Sequence, residues 1–165
     1  MEKQPQRPVL GALETQLSFE EAQSLCAMED MPVEAFSFTG GGAPGAQLAK
    51  SEWRGCALKG VCLRGADLRG AYFRDVSFLN CDFAGAALIG ATLHRCAFED
   101  CRLTGANFSA GALADVRFFG CVAQSAAFSE CGMKAVLFEQ TDLSGAAFCD
   151  IGLRRRAAFA FKECS

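Results

Sequence analysis

The 165 residues contain one histidine, one tryptophan and one tyrosine, and the formal net charge is only −3. A single histidine, His94, leaves little room for imidazole-based catalysis, and no serine or cysteine is paired with it by spacing. The near-balance of charge gives no electrostatic case for binding nucleic acid directly. No apolar run approaches the ~20 residues of a membrane-crossing helix, and "MEKQPQRPVL" at the start lacks the apolar stretch of a secretion signal. A cytoplasmic protein with no membrane association is therefore expected. "TGGGAPG" at 39–45 is glycine-rich but lacks the Gly-Lys-Ser/Thr ending of a phosphate-binding loop, so it reads as a flexible link.

What the sequence has is a period. In "GADLRGAYFRDVSF", residues 65–78, the apolar positions are Ala66, Leu68, Ala71, Phe73, Val76 and Phe78. The gaps alternate between two and three, which repeats every five residues. An α-helix advances about 100° per residue, so a five-residue repeat would smear around it. A continuous strand fails as well, because an odd period flips every second repeat to the opposite face. Both objections vanish if each pentapeptide carries its own corner. Two inward residues flank one outward residue on a short side, and the next two turn the chain.

The central inward residue runs in one phase from Trp53 and Leu58 through Phe73, Phe78, Phe98, Phe118 and Phe138 to Phe148 and Leu153. More raggedly, it reaches back through Leu48, Ala43, Phe38 and Val33. A register held this long marks a solenoid, in which each unit buries its core against its neighbours. Phe78, Phe98, Phe118 and Phe138 are expected to stack in one inward column.

"ADLRG" at 66–70, "CDFAG" at 81–85, "ANFSA" at 106–110 and "TDLSG" at 141–145 resemble the motif of the pentapeptide-repeat family: Ala, then Asp or Asn, then Leu or Phe, then two freer residues. The resemblance implies an all-β solenoid, a right-handed quadrilateral parallel β-helix with four pentapeptides per coil. Residues 31–155 form the expected β-helix, after an N-terminal segment over 1–30. Within that segment "SFEEAQSLCAM" at 18–28 predicts a short helical cap. Ser18 and Glu21 have capping-box spacing, and Phe19, Ala22, Leu25 and Cys26 make one apolar stripe. Arg156 falls on an inward phase and ends the pattern, so 156–165, with Phe159 and Phe161, reads as a C-terminal flap.

Ten cysteines invite a metal or disulfide reading. Six of them, Cys56, Cys81, Cys96, Cys101, Cys121 and Cys131, fall on the small inward position. Stacked about 4.8 Å apart, parallel Cβ atoms sit too far apart for relaxed disulfides, which want about 3.8 Å. No C-x-x-C pair supplies zinc-ligand spacing. Buried apolar filler is the expected role, and no metal or other cofactor is expected. Cys62 and Cys149 face outward and are the expected reactive thiols, with Cys164 a third candidate.

Function must then lie on the surface, read in columns of twenty residues. Arg54, Arg74, Lys134 and Arg154 share a column with His94, and Arg95 stands beside it; this is a candidate basic ridge, offset in part by Asp75 and Asp115. A second column runs Lys59, Leu79, Glu99, Phe119, Glu139 and Phe159. Leu79, Phe119 and Phe159, with Leu137 on the same side, form the candidate interface, since a row of outward apolar residues suggests a partner. The expected function is a non-enzymatic, rigid protein–protein interaction scaffold of unknown partner. Self-association is expected through a coil end or the Leu79 and Phe119 face.

The resemblance implies an alternative, because some family members mimic a DNA duplex and bind DNA gyrase, protecting it from quinolones. About six coils make a rod of about 30 Å. A duplex of that length carries about 18 negative charges. Residues 46–155 carry twelve Lys or Arg against eleven Asp or Glu. Duplex mimicry therefore ranks second.

Overall fold

In a computed structural model, residues 4–11, 15–16, 18–27, 32–153 and 159–165 are described. Strand β1 (Thr15–Gln16) and helix α1 (Phe19–Ala27) precede a stack of short strands. These are β2 (Val33–Glu34), β3 (Phe36–Thr39), β4 (Glu52–Arg54), β5 (Ala57–Lys59), β6 (Tyr72–Arg74) and β7 (Ser77–Leu79). Three longer strands follow, β8 (Thr92–Glu99), β9 (Ala112–Phe119) and β10 (Gly132–Glu139), each running through a corner. β11 (Gly152–Leu153) and β12 (Phe159–Lys162) close the stack.

All pairings are parallel, and from β2 to β11 each residue meets the one twenty positions on: Trp53 pairs with Phe73, Phe73 with Leu93, and Leu93 with Leu113. The other two sides carry isolated parallel bridges in the same register, such as Cys62 with Asp82 and Asp67 with Ala87. Twenty residues per coil and a corner every five make a four-sided solenoid of about six turns.

The corners explain the period. Each unit ends on a left-handed residue, for example Gly65 (φ 61°), Gly70 (φ 66°), Asp75 (φ 55°) and Asn80 (φ 52°). At two of the four corners the turn is closed by a backbone bond, as where the Ala66 N–H donates to the Leu63 carbonyl at 3.1 Å. Glycine, asparagine and aspartate tolerate this region best, which is why they recur at the fifth position. Gly42 is required for a second reason: a Cβ there would lie 2.2 Å from the Cys62 carbonyl oxygen.

Inside the coils two ladders of rings interlock. Phe78, Phe98, Phe118 and Phe138 stack at centroid spacings of 4.6, 4.9 and 4.7 Å, as the register requires. Phe108, Phe128 and Phe148 stack beside them at 4.9 and 5.0 Å. The ladders meet edge to face, Phe118 against Phe128 at 5.8 Å and 76°, an arrangement that suits the ring quadrupoles.

The cap forms as its spacing predicts. The Ser18 N–H donates to Glu21 Oε2 at 2.8 Å, and the Glu21 N–H returns a bond to Ser18 Oγ at 3.2 Å. The carboxyl of Glu21 is held below its ordinary range by the bonds it accepts from the Ser18 N–H and the Ser18 hydroxyl. Phe19 and Ala22 are buried, and the Phe19 ring lies over Trp53 at 6.3 Å. The side chain of Leu25 lies outside the described residues.

At the far end the chain departs from the twenty-residue rule. β12 pairs with β10, but Val136 meets Phe159 and Phe138 meets Phe161, an offset of three additional residues. The segment is a paired strand that begins a further coil. Phe161 extends the ring ladder, 5.5 Å from Phe138, and Ser165 accepts a bond from the Leu143 N–H. The expected alignment of Phe159 with Glu139 is corrected accordingly: Lys162 holds that place. Arg156 lies outside the described residues.

Candidate interaction surface

The six inward cysteines are all buried and free. Their thiols donate to carbonyls of the coil before, Cys101 to Phe78 at 3.5 Å and Cys121 to Phe98 at 3.4 Å. Burial pushes Cys96 up to about 12. The flanking thiols of Cys121 and Cys81, together with burial, push Cys101 upward as well. Such thiols stay protonated and unreactive. Cys149 is exposed, while Cys62, Cys164 and Cys26 are half-buried. Among the described residues no three His, Cys, Asp or Glu side chains converge as metal ligands would.

On the side that carries β3, β5 and β7, the outward column is Ser77, Ala97, Arg117 and Leu137. Its far corner carries Leu79, Glu99, Phe119 and Glu139. Leu79 and Phe119 are both half-buried and stand two coils apart with Glu99 between them, so apolar and acidic side chains alternate along the edge. The Arg117 guanidinium donates to Glu139 at 2.8 Å and lies 4.6 Å above the Phe119 ring. Phe119 thus carries a cation over its ring, held there by a carboxylate one coil away. Leu137 points outward by phase yet is only 4% exposed, so it adds no accessible surface to the edge. The Phe159 backbone pairs with Val136, and its side chain lies outside the described residues.

The near corner holds the basic residues, and most are compensated. Arg54 is paired with Glu52. Arg95 donates to both oxygens of Asp75, at 2.6 and 2.5 Å, and Arg74 lies 3.6 Å from the same carboxylate. The Arg95 contact is the main reason the Asp75 carboxyl is held below its ordinary range. Lys134 is exposed; Arg154 lies outside the described residues. The corner is a mixed ladder of Asp75, Arg95 and Asp115, whose central cation cancels part of its acids.

Along this ladder lies a segment that the periodic reading passes over. The Gln6 N–H donates to Asp115 Oδ1 at 3.3 Å, and the Val9 N–H to Asp75 Oδ1 at 3.0 Å. Residues 4–11 therefore run along the rod, across the coils. Beneath them Ala97, outward by phase, is only 8% exposed. A cleft of about 180 Å³ remains between Pro5, Pro8 and Leu10 on one side and Ala97, Glu99 and Arg117 on the other. The one available signal, aspartates at the same corner position forty residues apart, names no partner by itself.

Two further apolar side chains point outward, Ile89 (40% exposed) and Val122 (41% exposed). They stand singly on other parts of the rod, as exposed apolar residues commonly do.

The pentapeptide-repeat region model matches residues 71–148 and 91–165, and the pentapeptide-repeats model of eight copies matches 45–75. The chain belongs to the pentapeptide-repeat family. No curated protein matches it. Among solved structures it is similar to trypsin-treated QnrB1, a plasmid-mediated fluoroquinolone resistance protein, at 18% identity over 81% of this chain and 71% of that one, with a TM-score of 0.34. It is also similar to HetL, a pentapeptide-repeat protein involved in heterocyst differentiation regulation in the cyanobacterium Nostoc sp. strain PCC 7120, at 21% identity over 72% and 62%, TM-score 0.39. A third is a pentapeptide-repeat protein of the Arabidopsis thaliana thylakoid lumen, at 23% identity over 74% and 68%, TM-score 0.30. Among the described residues of this pentapeptide-repeat protein, no helix is long and apolar enough to cross a membrane.

Proposed function

We infer that this pentapeptide-repeat protein is a non-enzymatic scaffold that docks a partner protein along the Leu79 and Phe119 edge. The observation that carries the reading is the Phe119 ring, half-buried under an Arg117 guanidinium that Glu139 holds in place. Aromatic and arginine side chains dominate interface energies when fully desolvated, and here both stand together on a fixed frame. The core cannot rearrange to meet a partner, because the ring ladders and the twenty-residue register fix every coil. Binding therefore falls to outward side chains. A reducing cytoplasm suits ten unpaired thiols.

Replacing Leu79 and Phe119 with Ser tests this directly. The unfolding midpoint should change little, since surface changes usually stay within about 0.5 kcal/mol. Capture of partner from a host lysate, or self-association in sedimentation, should fall at least tenfold. Unchanged association by the folded variant would refute the edge.

The acidic residues on and beside this edge, Glu99, Asp100 and Glu139, favour a mimic of the DNA duplex that binds DNA gyrase as the second reading. The charge balance of the rod and the pairing of Glu139 with Arg117 rank it lower. No protection of gyrase supercoiling against a quinolone is expected at micromolar protein. Protection that disappears on neutralising Glu99, Asp100 and Glu139 would reverse the order.

A further inference from the structure

The segment over residues 4–11 offers a repeat of its own. Pro5 and Pro8 are three residues apart, both half-buried, while Gln6, Arg7, Val9 and Leu10 are exposed. The two backbone donors that reach the rod, Gln6 and Val9, each follow a proline. Proline fixes φ near −65° and pushes the residue before it to extended conformations, so this spacing favours polyproline II. That helix has three residues per turn and a rise of about 3.1 Å, so positions i and i+3 lie on one side, about 9 Å apart. The acceptors, Asp75 and Asp115, are two coils apart, which is about 9.6 Å at the spacing of paired strands. One turn of polyproline II thus matches two coils of the rod. An α-helical segment would cover only about 4.5 Å over three residues and would miss the second acceptor.

We propose that the Asp75–Arg95–Asp115 corner, with the Ala97 and Arg117 side beneath it, is a docking track for proline-spaced polyproline II segments of a partner protein. Residues 4–11 occupy the track in cis and act as its built-in competitor. Three features support a displaceable occupant. Only two backbone bonds to the rod are formed by the eight described residues. Val9 is 67% exposed and Leu10, which lines the cleft, is still 38% exposed, so the larger apolar side chains of the segment are only partly covered by the rod. The cleft of about 180 Å³ shows that the segment leaves its track partly empty. A partner with bulkier groups toward the rod would fill that space and bury more apolar surface. Charge-assisted bonds donated by its N–H groups to the carboxylates would fix the register.

The track shares the scaffold reading of the rod, but its test needs only the full chain and a peptide. A failed peptide experiment therefore leaves the Leu79 and Phe119 test standing. The probe is a fluorescent peptide with the sequence of residues 4–11, followed by anisotropy. The host is the full chain carrying Pro5→Gly and Pro8→Gly, which removes the conformational preference of the cis segment. This chain should bind the peptide one to one and at least tenfold more tightly than the unaltered chain, whose own segment competes. Adding Asp115→Ala should weaken binding at least fivefold. Ala135 and Ala35 adopt the same left-handed corner conformation in this column, so alanine suits the backbone there. If the thermal midpoint of that variant shows lost folding, Asp115→Asn, which keeps an acceptor without charge, should weaken binding at least twofold. A peptide with one glycine inserted between Arg7 and Pro8 breaks the match of turn to coil and should bind at least tenfold more weakly. Absence of saturable binding, equal binding of the inserted peptide, or indifference to the substitution at Asp115 would overturn the proposal.

Discussion

In the middle coils an inward side chain such as Phe98 is held by a neighbour one coil above and another below, so the cost of removing it can be stated. Phe98 stacks on Phe78 and Phe118 and meets Phe83 and Phe108 edge to face. Phe98→Ala should cost about 3–5 kcal/mol, the range for buried aromatics, read as a lowered denaturation midpoint. The thiols give a second test at this scale. A thiol reagent under native conditions should label Cys149 first and Cys62 more slowly, while Cys96 and Cys101 react only after unfolding; early labelling of Cys96 would contradict its burial. The period of five told which residues point inward, because burial of alternating positions leaves a mark in composition. It could not tell that Leu137 is covered. Phase sets the direction of a side chain, whereas exposure depends on what else packs there.

At the scale of elements, the cap and the corner segment behave differently. Helix α1 was legible because Ser18 and Glu21 make their bonds within three residues of each other. Ser18→Ala should cost about 1 kcal/mol of cap stability. Since the Phe19 ring lies over the single tryptophan, loosening the cap should change Trp53 fluorescence before global unfolding. The segment over 4–11 was not legible, since its acceptors lie 109 and 66 residues away. The last coil escaped for a different reason: three additional residues between β11 and β12 break the count, although pairing resumes beyond them.

The Asp75 corner also sets a pH dependence. Its carboxyl is held low by Arg95, with the Val9 N–H contributing. A depressed folded value stabilises the fold above the ordinary aspartate range, and that contribution is lost as pH falls through the depressed value. Thermal midpoints should therefore drop as pH falls below the unperturbed aspartate value of about 3.9. Asp75→Ala should lower the midpoint at neutral pH and flatten that dependence. A wild-type slope retained in the variant would assign the effect elsewhere.

As a whole molecule the protein is a four-sided rod whose interior is filled and whose choices are made on its edges. The solenoid was readable from sequence because one rule, repeated every five residues, fixes strand, corner and core together. The candidate interface was only partly readable. The column through Leu79 and Phe119 follows from the register, but the Arg117 guanidinium over Phe119 arises between neighbouring coils and depends on side-chain conformation. The Leu79 and Phe119 edge, and not the side whose bridges run from Asp67 through Ala87 and Asn107 to Ala127, is the surface proposed to meet the partner. A photo-crosslinking residue placed at Leu79, and separately at Ala127, tests it most directly in the native host. Position 79 should give one defined crosslinked protein, with yield at least tenfold above position 127. Equal yields from both positions, or a defined adduct from Ala127 alone, would contradict it.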